Sequence, residues 1–275
     1  MRTFLKLVAA AVVIAALLLL YMYAVAIRDP LVRRVSIQMP DWPAAHAPIK
    51  IAMLSDIHVS GPDMPPARVA RIVDQVNALK PDIVLLAGDF VSDKKVATRT
   101  YSAAVGLAPL KGLRATFGAW AVLGNHDHWR NAAESRRALK AANVHLLDNA
   151  AATIGPLSLG RLDDDFTGNA AVSPTVLAMR KQRGAKVLLS HSPDVSPRTP
   201  TDVTLILAGH THCGQIRLPV IGAVSYVSNY GERFGCGLIR ESSRRIIVTA
   251  GLGTSVLPLR LGAPPDIWFI ELRGG

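Results

Sequence analysis

Leu123-Gly124-Asn125-His126-Asp127 closes the apolar run Trp120–Leu123, and this junction organises the reading of the rest of the chain. A buried strand gives way there to residues able to bind cations or move protons. Four other short polar clusters stand in the same relation to an apolar run. Asp56-Ile57-His58 follows Ile49–Leu54, and Gly88-Asp89 follows Ile83–Ala87. His191 follows Val187–Ser190, and Gly209-His210-Thr211-His212 follows Val203–Ala208. In an open α/β sheet, ligands bind where loops converge at the carboxyl ends of strands. Five loops tipped with His, Asp or Asn would gather the oxygen and imidazole donors that a pair of divalent metals needs.

Outward from these clusters, strands alternate with helices. Val69, Ile72, Val73, Val76 and Leu79 mark one face of a helix that Pro81 closes. Thr98–Leu110, Ala132–Ala142 and Pro174–Gln182 read as further helices. After His212 the pattern changes to short strands at Ala223–Val227, Cys236–Arg240, Arg244–Thr249 and Ile267–Leu272. The alternation predicts α/β layers.

The amino terminus is different in kind. Leu7 to Ile27 carries no charged side chain, and Tyr21 and Tyr23 sit near its far end, as interfacial aromatics do. At 1.5 Å per residue, roughly 20 residues cross a hydrocarbon core of ~30 Å. Ala24-Val25-Ala26 would also fit a signal-peptide cleavage site, but the apolar run exceeds the usual h-region, so residues 1–28 are read as a retained transmembrane anchor. Pro40, Pro43 and Pro48 suggest a linker over residues 29–48, with the globular domain at residues 49–275. Arg28, Arg33 and Arg34 after the span form a slightly denser group than Arg2, Lys6 and the amino terminus before it, a narrow vote for a cytoplasmic catalytic domain. The expected location is a membrane, held through this single anchor.

The chain has 275 residues, half of them hydrophobic, enough for one large core. Its 31 Lys and Arg against 20 Asp and Glu give a formal charge of +11. Such an excess suits nucleic acid, an anionic membrane surface or a phosphorylated substrate, and composition does not choose among them. Cys213 and Cys236 form no framework and no CxxC pattern, and are read as two free thiols.

Two closely spaced dications repel, so one carboxylate must bridge them. Asp89, leaving a strand after a glycine, is expected as the bridge. Asp56 and His58, two apart on an extended segment, would face the same way and reach one metal. His210 and His212 share that spacing, Asn125 adds a carbonyl oxygen and His191 another imidazole. His126, with Asp127 beside it, suits a general acid at the leaving group.

Taken together and in order, Asp56-x-His58, Gly88-Asp89, Gly124-Asn125-His126-Asp127, His191 and Gly209-His210-Thr211-His212 resemble the calcineurin-like metallophosphoesterases. Any one motif is weak; five in order is specific. The resemblance implies a two-sheet β-sandwich flanked by helices around a dinuclear centre. It would place Asp56, His58, Asp89 and His212 on one metal and Asp89, Asn125, His191 and His210 on the other. A metal-bridging hydroxide would attack phosphorus while His126 assists the leaving group. Mixed nitrogen and oxygen ligands suit Mn, Fe or Zn, with Mn expected.

Within that family the chain looks most like the membrane-anchored bacterial branch, which includes small phosphodiesterases and a UDP-2,3-diacylglucosamine pyrophosphatase. This likeness implies the bacterial cytoplasmic (inner) membrane as the location. The segments behind this are Leu189–Asp194, His212–Gln215 and Gly251–Ser255 followed by Pro258-Leu259-Arg260. Cys213 stands where that branch usually carries glycine. The leading expectation is therefore hydrolysis of a phosphodiester or pyrophosphate on a lipid precursor, with the bilayer and a phosphorylated, lipid-linked substrate as partners. The alternatives are a nuclease or nucleotide phosphodiesterase, against which the anchor argues, and a non-catalytic metal-binding scaffold, against which the complete ligand set argues. Arg233 and Arg260 are candidates for clamping a phosphate. Asp93 is read as a helix cap, Asp163–Asp165 as a solvated turn, His128 and Trp129 as surface or packing residues, and His46 and His145 as without function. No serine nucleophile elbow or P-loop occurs.

Overall fold

The computed structural model describes residues 1–44, 46–242 and 244–275. An N-terminal helix, α1 (Arg2–Ile27), precedes strands β1 (Leu31–Gln38) and β2 (Ile49–Leu54). Helix α2 (Pro66–Ala78) leads to β3 (Ile83–Ala87), and α3 (Ala103–Leu107) to β4 (Ala119–Val122). Then come α4 (Asn125–Ala141), β5 (Val144–Leu146), β6 (Ala150–Ile154) and β7 (Leu157–Arg161). Helix α5 (Val172–Arg180) precedes β8 (Ala185–Leu189) and β9 (Leu205–Ala208). Strands β10 (Gly237–Glu241), β11 (Arg244–Val248) and β12 (Asp266–Arg273) finish the chain.

Two six-stranded sheets face each other, in the orders β1-β12-β2-β3-β4-β5 and β10-β11-β9-β8-β7-β6. Alternation along β2 shows why. Ile51 and Met53 join a core with Leu159, Val187, Leu189 and Leu207 of the opposite sheet. Ala52 and Leu54 turn the other way, onto Val69, Ile72, Val73 and Val76 of α2. Successive strand residues point to opposite faces, and a sheet covered on both sides has apolar residues on both. In the second sheet, Leu188 and Ile206 pack outward against Val176 and Met179 of α5.

β2, β3 and β4 run parallel, as do β8 and β9, so the carboxyl ends that carry the polar clusters lie along one rim of the sandwich.

Three expectations change. The segment read as a linker supplies β1, which pairs in parallel with β12 from Leu31↔Asp266 to Gln38↔Arg273. Ile37 and Met39 are buried in the inter-sheet core, so the proline-rich passage is confined to residues after Met39. The helix expected over Thr98–Leu110 is shorter, with a bridge strand at Arg99–Thr100 and a 3-10 turn at Ala108–Gly112 around α3. Ala223–Val227 contributes only Gly222–Ala223, paired with Arg217–Leu218 in a small hairpin.

α4 contains a break. Asn131 is extended (φ −175°) and its side chain accepts from the Glu134 N–H at 3.0 Å, capping the second half of the helix. The Asn125–Arg130 turn is thereby free to serve the site.

Candidate metal centre

Five of the expected ligands lie in the left-handed region: Asp56 (φ 51°), His58 (49°), Asp89 (56°), His210 (70°) and His212 (52°). Non-glycine residues seldom go there, and each costs about 1–3 kcal/mol unless the surroundings hold it. Asp56 and His58 therefore do not sit on an extended segment; two left-handed residues around Ile57 turn both side chains inward. Neighbouring loops hold that geometry. Asp56 N donates to Gly88 O (2.9 Å), His58 N to Asp89 O (3.0 Å), and Gly253 N to Asp56 O (2.7 Å). Gly88 has φ +86°, and a Cβ there would lie 2.8 Å from both His191 Nδ1 and Gly124 N. Only a bare backbone fits between those groups.

The side chains converge in two buried sets. In one, His58 Nε2 and His212 Nε2 are 3.0 Å apart, and His212 Nε2 is 3.5 Å from Asp56 Oδ1. In the other, His191 Nε2 lies 3.1 Å from both Asn125 Oδ1 and His210 Nδ1. Asp89 joins them: its Oδ2 is 3.5 Å from His58 Nε2 and 3.2 Å from His191 Nε2. Donor atoms of Asp56, His58 and His212, and of Asp89, His191 and His210, lie within 4.8 Å of one another in each set. His191 Nδ1 donates to Ala87 O (2.7 Å), so the nitrogen facing the set is Nε2, whose lone pair becomes available once a bound cation displaces its proton. Buried imidazole nitrogens converging on shared carboxylate oxygens fit divalent cations.

The electrostatics suit that occupancy. Burial pushes His58 and His212 well below the ordinary imidazole value and His210 down to about 3, so their lone pairs are available at neutral pH. Burial raises Asp56 to about 6. Burial alone would also raise Asp89, but His191 and His58 hold it well below the carboxylate range. In return, Asp89 and Asp56 outweigh burial at His191 and raise it well above its usual value. Negative charge is thus concentrated on the shared carboxylate.

His126 points Nε2 at this cluster, 3.9 Å from Asp89 Oδ2 and 3.5 Å from Ser255 Oγ. The carboxylate behind it is not Asp127. Asp127 is buried and accepts from the N–H groups of Gly124 (3.1 Å), Phe90 (3.1 Å) and Val91 (3.3 Å) and from Ser135 Oγ (3.2 Å). It clamps the loops carrying Asp89 and Asn125 and makes no contact with the reacting position. Asp93, expected as a helix cap, instead lies 2.5 Å from His126 Nδ1.

Both candidate phosphate clamps are spent elsewhere. Arg260 is fully buried and donates to the carbonyls of Ala250, Gly253 and Ala263, with its guanidinium 3.4 Å from His212 Nδ1. Arg233 pairs with Glu241 at 2.7 Å on an exposed face. The Asp163–Asp165 run is not a solvated turn: Asp164 is buried and accepts from Thr167 N and Oγ1, and Asp163 takes His128 Nε2 at 2.7 Å. Cys213 and Cys236 are joined in a disulfide, so neither is the soft thiol expected beside His212.

A cavity of about 440 Å³ opens over the cluster, with Asp89, Asn125, His126, His210 and His212 at its polar end and Trp129, Phe166, Val224, Val227, Val256 and Leu257 among its walls. Trp129 packs edge-on to His126 (4.9 Å), and Phe166 tilts over His210 (4.7 Å). Sequence reasoning missed Ser255 and Phe166 and gave Asp93 the role of a helix cap in place of a site carboxylate. None neighbours a ligand in the chain, and only the fold brings them in.

The model of the calcineurin-like phosphoesterases matches residues 49–214. The chain belongs to that family. As a metallophosphoesterase it is a hydrolase, and its two buried sets are candidate ligands for the two divalent metals the family typically binds. It is 32% identical over 233 residues to the uncharacterized metallophosphoesterase YkuE of Bacillus subtilis (strain 168), covering 82% of this chain and 79% of that one. Phosphodiesterase YaeI of Escherichia coli (strain K12) is 31% identical, with 82% of this chain and 83% of YaeI covered. The transmembrane protein with metallophosphoesterase domain of Danio rerio is 30% identical over 96% of this chain, which spans 62% of that longer protein.

Proposed function

We propose that this metallophosphoesterase cleaves a phosphodiester or pyrophosphate bond in a lipid-borne substrate, of which UDP-2,3-diacylglucosamine is one example. The cavity carries this reading: its floor is the polar cluster, its walls are aromatic and aliphatic, and among the described residues no lysine or arginine lines it. An apolar-walled cleft with a few polar groups at one end suits an amphiphile. The same lining counts against a nuclease, whose substrate would need cations along its backbone.

Two divalent cations bound by the two sets, Mn being the metal we favour, would stabilise charge on the phosphoryl oxygens and supply an activated water. The chain's own residues do the rest. Asp89 sets the spacing of the two sets, and His126, with Nδ1 held by Asp93, keeps Nε2 directed to pass a proton to the leaving oxygen. Trp129 and Phe166 keep water from one side of the cleft.

The helix α1 is long and apolar enough to cross a membrane. Its retention is supported by its last turns, where Met22 and Ala26 are buried against the domain and Arg260 N donates to Met22 O at 3.0 Å. Cleavage after Ala26 would strip those contacts. For the side of the membrane, the disulfide favours an oxidising compartment. It outweighs the narrow charge vote, because Arg33 is already paired with Asp266 at 2.6 Å.

The test uses metal-stripped, detergent-solubilised protein with Mn²⁺, Zn²⁺ or no metal added back. It compares an aryl phosphodiester with a diacylated sugar-nucleotide pyrophosphate in mixed micelles. Metal-restored turnover of both, with the lower KM for the lipid, is expected. Rapid cleavage of the aryl ester with the lipid left intact would defeat the lipid reading.

A further inference from the structure

We infer that the mouth of the catalytic cavity is itself a membrane-docking surface: the Leu218–Gly222 hairpin tip and the Val256-Leu257 loop insert into the bilayer face that α1 crosses. This rests on the reading of α1 as a retained anchor.

The argument begins where α1 meets the domain. From Arg2 to Tyr21 every residue of α1 is exposed, and the first buried one is Met22. The helix then fastens at several points: Met22 O to Arg260 N, Tyr23 Oη to Pro62 O (3.5 Å), and Arg28 O to Arg68 Nη2 (2.8 Å). A helix unbroken across this junction fixes the domain against the membrane rather than tethering it loosely. The ~20 exposed residues measure ~30 Å, the hydrocarbon thickness, which puts the bilayer surface near Met22 and hence near Arg260.

The segment that receives the helix also carries the apolar rim. Val256 and Leu257, both exposed, lie just before Arg260, and Gln215 Nε2 holds Leu257 O (3.0 Å) and Leu259 O (3.1 Å). Arg217 N donates to Leu261 O at 2.7 Å, so the hairpin springs from the strip next to Arg260. Its tip is Pro219-Val220-Ile221, with Val220 wholly exposed and Ile221 77% exposed. Val220 holds φ 68°, a conformation costly for a β-branched residue, at a tip where glycine or asparagine would relieve it. Val224 and Val227, exposed and following the hairpin, continue the patch into the cavity wall. A contiguous apolar patch of this kind marks an interaction surface. The adjacent membrane-spanning helix selects lipid as the partner, and shallow insertion of aliphatic side chains is the geometry of an interfacial contact. A lipid headgroup could then pass from the bilayer into the cleft without crossing water.

The test uses the full chain reconstituted in phosphatidylcholine–phosphatidylglycerol vesicles, after flotation confirms that it is membrane-bound. Loss of flotation would defeat the anchor reading by itself. A fluorophore is placed at Val220→Cys, at Val256→Cys and, as control, at Leu177→Cys on the outer face of α5; the native cysteines are blocked by their disulfide. With a nitroxide lipid spin-labelled near its headgroup, the first two labels are expected to lose roughly half their emission or more and the control little. Equal quenching at all three overturns the proposal, as does a label at position 220 shielded equally in detergent by a second protein chain. In a second arm, V220D/I221D, neither residue lining the cavity, should lower hydrolysis of a vesicle-embedded diester by about tenfold while leaving an aryl diester in water unchanged. Unchanged hydrolysis of the embedded diester also overturns it.

Discussion

An imidazole that donates a proton to a leaving oxygen must be charged before the step and neutral after it, and the group behind it decides how well it is aimed. At His126 that group is Asp93. Asp93→Asn should lower kcat by about tenfold, well short of the loss for His126→Ala, since general acids contribute roughly 10²–10⁴-fold. The loss should be greater for an alkyl than for a nitrophenyl leaving group, with bound metal unchanged by elemental analysis. Equal losses for both leaving groups would mean that Asp93 does not act through the proton. Arg260 gives the opposite kind of prediction. Its donors are committed to backbone carbonyls behind His212, so Arg260→Met, which leaves buried acceptors without a donor at about 1–3 kcal/mol each, should cost about 2–4 kcal/mol of stability in urea unfolding. KM for an aryl diester should stay the same per folded molecule. A raised KM at unchanged stability would restore the phosphate-clamp role.

Elements show what the sequence could and could not convey. Runs such as Ile83–Ala87 announce buried strands because both faces of the sheet are covered, and a polar residue after each run marks the rim. That made all seven metal-ligand candidates legible in the chain, and the structure brings their side chains together at one rim. What stayed hidden depends on distant partners. β1 pairs with β12 more than 200 residues away, and Pro40, Pro43 and Pro48 give the segment the composition of a linker despite the inward Ile37 and Met39. Asp93 meets His126 across 33 residues, and Cys213 meets Cys236 across 23 with no local pattern to announce it. The left-handed turns at Asp56 and His58 were illegible for another reason: neither is a glycine, and their cost is met by contacts to loops 88–89 and 251–253. If β1 belongs to the core, Ile37→Ala should cost about 2–5 kcal/mol in urea unfolding, the range for emptying a buried aliphatic site. A change under about 0.5 kcal/mol, as at an exposed position, would return residues 29–48 to the status of linker.

For the whole molecule, the decisive feature is that the ligand sets cross from one sheet to the other. Asp56, His58, Asp89 and Asn125 leave the ends of β2, β3 and β4, whereas His191, His210 and His212 leave β8 and β9. Each set mixes the two groups, so bound cations would staple the sandwich along its rim. A ligand at 100 times its Kd stabilises the native state by about 2.7 kcal/mol, and a domain of this size gains roughly 2–4 °C per kcal/mol. Chelation should therefore lower Tm by about 5–10 °C for each strongly bound cation, and Mn²⁺ should restore it. The gap should also depend on pH in a defined sense. Asp89 and Asp56 raise His191 well above its usual value in the metal-free protein, so its protonated form contributes stability that is complete below 6.5 and lost as pH rises through the raised value. The metals need that nitrogen deprotonated and bind more tightly over the same range. Between pH 6.5 and 8 the metal-free Tm should fall while the metal-loaded Tm holds or rises. A gap that narrows with rising pH, or a Tm indifferent to chelation, would show that His191 is not a ligand and that the two sheets are held by their apolar core alone.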